Sequence, residues 1–137
     1  MNISKFTQKS IQAVQDLEKV AYEYGNQEVE QEHLLYALLT QEDSLILKLI
    51  EKMEINKDYF IDVVKKALDA KVKVSGGDLR FGQYLNKALV NAEDEAKAMG
   101  DEYVSVEHLF LSILKQPSPS MKKILSEFGI TRERFLQ

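Results

Sequence analysis

Two Glu-His pairs, Glu32-His33 and Glu107-His108, are the residues of this chain whose types and spacing could do chemistry. An imidazole beside a carboxylate can serve as a general base or as part of a metal site. The neighbouring residues complete neither. A helix-borne metal site needs a further ligand at helical spacing, such as a second histidine four residues on, and Ala37 and Ser112 stand there. There is no cysteine, so disulfides, thiolate ligands and Cys-His nucleophiles are excluded. Ser75-Gly76-Gly77-Asp78 lacks the Gly-Lys-Ser/Thr ending of a phosphate loop, and no Gly-x-Ser-x-Gly turn occurs. The pattern favours a structural role: a histidine packed beside a helix start, with Glu32 or Glu107 where the positive end of the helix dipole stabilises a carboxylate. No catalytic residue, metal or cofactor is expected.

The elements that position these pairs repeat with them. An ungapped offset of 75 residues superposes the two halves from Phe6 on Phe81 to Phe60 on Phe135. Between those ends Gln8/Gln83, Ala13/Ala88, Glu18/Glu93, Ala21/Ala96, Gly25/Gly100, Val29/Val104, Glu32/Glu107, His33/His108, Leu34/Leu109, Leu39/Leu114, Lys48/Lys123 and Ile55/Ile130 are identical. Unrelated compositions would match at roughly 6% of positions, so the chain holds two copies of one unit. The expected organisation is one domain over residues 1–137: repeat one 1–70, a linker 71–79 rich in Lys, Ser and Gly, and repeat two 80–137.

Within the first copy, Phe6, Ala13, Val14, Leu17, Ala21 and Tyr24 recur at three- and four-residue steps and predict a long helix that Gly25 stops. Leu34, Leu35, Leu38 and Leu39 make a second. Leu45, Ile46, Leu49, Ile50 and Met53 make a third, and Tyr59, Phe60, Val63, Val64, Ala67 and Leu68 a fourth. Asp43, Asn56, Ser105, Ser118 and Thr131 supply start signals, and Pro119 fits a first turn. No window alternates long enough to read as a strand. The fold is expected to be all-α, with two tandem four-helix repeats related by a pseudo-twofold and about eight helices, the last cut short by the end of the chain.

Composition bounds the partners. The chain is 45% hydrophobic and 29% charged with a net charge of -4, and lysines lie scattered among acids, which argues against a nucleic-acid surface. No stretch approaches the length of a membrane span or reads as a secretory leader, so a cytoplasmic protein is expected. Glu28, Glu30 and Glu32, and Glu93, Asp94 and Glu95, read as solvated faces. Phe6, Phe60, Phe81, Phe128 and Phe135 read as core.

Lys5-Phe6-Thr7-Gln8-Lys9-Ser10, Gln31-Glu32-His33-Leu34-Leu35 and Val104-Ser105-Val106-Glu107-His108-Leu109-Phe110, together with the duplication, carry a resemblance over essentially the whole chain. The chain resembles the N-terminal Clp repeat domain of bacterial ClpB-type AAA+ disaggregase chaperones. That resemblance implies a non-catalytic accessory domain that engages unfolded or aggregated polypeptide for transfer to the AAA+ ring. The parent would be a homohexamer through its AAA+ modules and the isolated domain a monomer, with an adaptor protein as a possible partner. Residue by residue it points to Thr7, Asp101 and Glu107 as substrate-binding, around an apolar groove. Each also has a structural reading: Thr7 as a helix cap, Asp101 ordering the loop after Gly100, and Glu107 answering a dipole.

Copy-to-copy differences, Thr7 against Gly82 and Asp101 against Asn26, suggest one principal site, whose loss in Thr7→Ala with Asp101→Ala is expected to weaken client binding at unchanged melting temperature. The alternative is an adaptor- or phosphoarginine-binding domain of the ClpC or ClpA kind, with Glu32 and Glu107 meeting a guanidinium.

Overall fold

Each copy builds its helices from the same signals, and the computed structural model, which describes residues 3–137, shows the offset kept in the elements themselves. α1 (Gln8–Glu23), α2 (Gln31–Leu39), α3 (Leu45–Lys52) and α4 (Lys57–Asp69) are followed by α5 (Gln83–Ala98), α6 (Val106–Lys115), α7 (Pro119–Glu127) and α8 (Arg132–Leu136). A single 3₁₀ turn, Ile3–Lys5, precedes them. Met1 and Asn2, which the expected first repeat includes, lie outside the described residues. The all-α expectation holds.

The caps explain the boundaries. Asn56, Ser118 and Thr131 each accept a backbone N–H three residues on, from Tyr59, Met121 and Arg134. Gly25 and Gly100 close α1 and α5 at φ of 69° and 74°, a region that a side chain would strain. One start signal is displaced: Ser44, not Asp43, caps α3, its Oγ accepting from Leu47 N at 3.1 Å. Asp43 is turned away in a left-handed conformation at φ 56° and pairs with Lys48.

α2 and α6 are the centre. Every residue of α2 except Tyr36 is buried, and so are Val106 and the run from His108 to Ile113 in α6, the pattern of helices surrounded by others rather than half-exposed ones. α1 packs along α2 and α5 along α6, and α2 also meets α5 and α6. Phe60, Leu17, Leu34, Leu85, Leu89 and Phe110 fill the common core. Of the expected core aromatics Phe81 and Phe128 are only partly buried, Phe128 meeting Phe60 edge to face at 4.9 Å. Tyr59, read as part of the α4 stripe, is 54% exposed and donates its hydroxyl to Glu127 at 3.1 Å.

A short parallel pairing, beyond the reach of the helical pattern, joins the copies. β1 (Glu28–Val29) pairs with β2 (Arg80–Phe81), with Val29 opposite Phe81. In the other direction Phe6 bridges Val104, again in parallel. These are the same two positions with the copies exchanged, so the lead-in of each repeat is clasped by the segment before the central helix of the other. Gly82 N donates to Val29 O at 2.8 Å and Thr7 N to Val104 O at 3.0 Å. The pseudo-twofold therefore appears in hydrogen bonds as well as in helices. Among the described residues no helix is long and apolar enough to cross a membrane.

Candidate functional site

The two histidines sit at the third position of α2 and α6, where a capping box places a Glu or Gln that returns to the N-cap backbone. Here imidazole does that work. Nδ1 of His33 accepts from Glu30 N at 2.8 Å, and Nδ1 of His108 from Ser105 N at 2.9 Å. A backbone N–H on Nδ1 puts the ring proton on Nε2, and each Nε2 donates to the residue 75 positions from its counterpart: Asn26 Oδ1 at 2.9 Å and Asp101 Oδ2 at 2.8 Å. Both rings are buried, at 0% and 2% exposure. Burial, aided by Lys71, lowers the His33 pKa to about 4, so that ring is neutral near pH 7.

Ser105, His108 and Asp101 fall in a line, with Ser105 Oγ 3.0 Å from Nδ1, and by residue type they copy a nucleophile-base-acid relay. The lone pair that would take the serine proton is already bonded to the Ser105 backbone N–H. The first copy builds the same ring geometry from Glu30 and Asn26, with no hydroxyl at all. The arrangement is a helix cap tied to the preceding loop.

The expected substrate-binding residues fall in one neighbourhood without touching one another through side chains. Thr7 caps α1, its Oγ1 accepting from Ser10 N at 3.2 Å, while its backbone N–H binds Val104 O. Val104 stands midway between Asp101 and Glu107, so the Phe6–Val104 bridge brings the start of α1 beside the start of α6. Asp101 has a half-exposed side chain, and Glu107 is half-buried in the first turn of α6. Since Thr7 and Asp101 both hold local structure, the expectation that their alanine variants leave the melting temperature unchanged does not fit these bonds.

Both copy-to-copy differences have local causes. A Cβ on Gly82 would stand 2.9 Å from Glu28 Oε1 and 3.3 Å from Val29 O, so β1 crowds the place that Thr7 occupies freely in the other copy. Asn26 is 4% exposed and must also donate, from Nδ2 to Val72 O at 3.1 Å, because the linker runs over it. A carboxylate could accept from the histidine there but could not make the second bond.

Two acids expected on solvated faces are buried. Glu32 is 0% exposed, 3.4 Å from Lys71 Nζ and hydrogen-bonded by Ser120 of α7, so a guanidinium approaching Glu32 would have to displace Lys71. Glu95 is 2% exposed, with Arg132 Nη1 at 2.6 Å and Lys115 Nζ at 3.8 Å. It falls on the stripe of Leu85, Ala88 and Ala92, and its counterpart is the buried Val20. That spacing marks Glu95 as core-facing within the run of charge. Gln31, also 0% exposed, was missed as well: Nε2 donates to Tyr84 O at 3.2 Å and Gln116 O at 3.1 Å, and Oε1 accepts from Ser118 N at 2.9 Å.

Two four-helix copies that exchange their lead-in strands, each with a histidine-capped central helix, define a duplicated helical-repeat domain. The chain belongs to the Clp repeat (R) N-terminal domain family, whose family model matches residues 5–128. It is 39% identical over 142 residues to the chaperone protein ClpB of Nitratidesulfovibrio vulgaris, covering 99% of this chain and 16% of that protein. The structure resembles the Hsp104 N-terminal domain from Candida albicans with a TM-score of 0.83 at 21% identity, covering 96% of this chain and 87% of that one. A ClpV N-domain in complex with a VipB peptide matches with a TM-score of 0.72 at 21% identity, covering 96% and 82%.

Proposed function

We propose that this chain is the substrate-engaging accessory domain of an ATP-dependent protein disaggregase in the cytoplasm, and that it binds unfolded or aggregated polypeptide around Thr7, Asp101 and Glu107 for transfer to an AAA+ ring. The observation that carries the reading is the Phe6–Val104 bridge. It gathers the starts of α1 and α6, near which the Asp101 side chain is half-exposed and Glu107 half-buried. Membership in the Clp repeat family and the likeness to ClpB chaperones support it, as does the peptide held by the ClpV N-domain. ATP hydrolysis and hexamer formation belong to AAA+ modules outside this chain, and the domain alone is a monomer. Weak contacts suffice, because tethering six copies above one ring raises the effective concentration of binding sites.

The test uses backbone amide shifts with permanently unfolded casein, and the variant Asp101→Asn with Glu107→Gln. Asparagine keeps an acceptor for His108, as Asn26 does for His33, so the charges are removed while the cap remains. Shifts centred on residues 5–10 and 101–107, weakened in the variant at unchanged melting temperature, are expected. Unchanged affinity, or shifts confined to other faces, would refute the site.

A further inference from the structure

Two clefts, one in each copy, share the matched positions Lys9/Tyr84 and Glu42/Pro117 and otherwise differ. In the first copy, a cleft of about 480 Å³ lined by Gln8, Lys9, Gln12, Asp16, Gln41 and Glu42 is bridged by its own polar groups: Lys9 Nζ donates to Glu42 O at 2.7 Å and Gln41 Nε2 to Lys9 O at 2.8 Å. In the second copy, around the counterparts of Lys9 and Glu42 but extending along the start of α7, a cleft of about 600 Å³ is lined by Tyr84, Pro117, Pro119, Lys122, Lys123 and Ser126. Tyr84 replaces Lys9, Pro117 replaces Glu42, and Lys122 replaces Leu47. Lys48 of the first copy is neutralised by Asp43. Among the described residues its counterpart Lys123 has no ion pair, and neither do Lys122 or Lys87, whose ammonium lies 6.0 Å from the centre of the Tyr84 ring.

The cleft is also preorganised. Gln31, wholly buried beneath it, hydrogen-bonds Tyr84 O, Gln116 O and Ser118 N, so one amide holds the start of α5, the end of α6 and the start of α7 at fixed separations. Its counterpart in the other copy is Val106, which can make no such clamp. Rigid walls lower the ordering cost of binding.

We infer that this cleft docks an acidic peptide segment carrying an aromatic or aliphatic side chain, the apolar group lying against Tyr84, Pro117 and Pro119 and the carboxylates meeting Lys87, Lys122 and Lys123. Charge complementarity selects that occupant, because three unpaired cations gather on a chain whose net charge is -4. The same negative balance repels a long polyanion beyond the edge of the patch, which favours a short acidic peptide over nucleic acid. This is a second surface, independent of the one around Thr7, Asp101 and Glu107.

Fluorescence anisotropy with a labelled twelve-residue peptide of alternating Asp or Glu with Leu or Phe tests it, against the same peptide with lysine for each acid and against a thymidine dodecamer. Saturable, salt-sensitive binding of the acidic peptide alone is expected. It should weaken at least about tenfold in Lys122→Glu with Lys123→Glu, whose exposed positions leave the fold intact. Tyr84→Ala should weaken it as well, and Asp101→Asn with Glu107→Gln should leave it unchanged, so failure here is separable from failure of the proposed client site. Equal binding by the lysine peptide or the oligonucleotide would overturn the inference. So would unchanged affinity in the double lysine variant at an unchanged melting temperature.

Discussion

Acidification should destabilise this fold through His33 before most carboxylates titrate. The ring is wholly buried with its proton on Nε2, Nδ1 holds the Glu30 backbone N–H, and Lys71 stands nearby, so a second proton has no acceptor to meet. Burial first and Lys71 second lower its pKa from 6.5 to about 4. Because the folded value lies below the unfolded one, the unfolded chain takes up the proton first as pH falls. The contribution is complete above pH 6.5 and is lost progressively down to about pH 4. At about 1.4 kcal/mol per unit the whole difference is about 3 kcal/mol, of which about 2 kcal/mol is gone at pH 5. Urea midpoints followed by circular dichroism at pH 7.5, 6.5, 5.5 and 5.0 would show the loss. Imidazole nitrogen shifts would report the His33 titration directly and identify the protonated nitrogen. His33 titrating near 6.5, or bearing its proton on Nδ1, would refute the reasoning, as would stability that stays flat from pH 7.5 to 5.

Three further perturbations probe the scaffold by denaturant midpoint and melting temperature. Thr7→Ala removes the α1 cap and should cost about 1 kcal/mol, whereas Thr7→Ser should cost little. Arg132→Ala strands the buried Glu95 carboxylate with only the distant, exposed Lys115 and should cost about 3 kcal/mol, while Glu95→Val with Arg132→Met, which copies Val20, should be near neutral. Gln31→Val, copying Val106, leaves two carbonyls and the Ser118 N–H without their partner and should cost about 2 to 3 kcal/mol, with faster amide exchange at Ser118.

Helices were legible because their signals are local. Apolar spacing places α1, and Asn56, Ser118 and Thr131 cap where sequence alone put them. The exchange of lead-in strands was not legible, since Arg80–Phe81 is too short to alternate and its partner lies fifty-two positions earlier at Glu28–Val29. Nor was Ser44 separable from Asp43 by type, because both residues cap helices and only the positive φ of Asp43 decides between them. Glu95 was readable in principle, through its place on the stripe of Leu85, Ala88 and Ala92 and its counterpart Val20. The histidines were legible as structure, but the identity of the partner at Nε2 needed the loop geometry.

That partner changes how the breaks in symmetry are to be weighed. A duplicated domain invites the argument that unlike residues at matched positions mark function. Thr7 against Gly82 and Asp101 against Asn26 are unlike, yet Glu28 and Val29 account for the glycine and Val72 accounts for the amide. Those positions can bind a client only through what each leaves exposed, and for Asp101 that is a half-exposed carboxylate already shared with His108. The cleft at Tyr84 differs in kind. Lys122 stands where the other copy has Leu47, Lys87 where it has the uncharged Gln12, and Lys123 where Lys48 is neutralised by Asp43, and among the described residues nothing in the chain answers the three with an ion pair. A break that the fold itself explains is weak evidence for a ligand, and one that leaves unneutralised charge around a clamped apolar cleft is stronger.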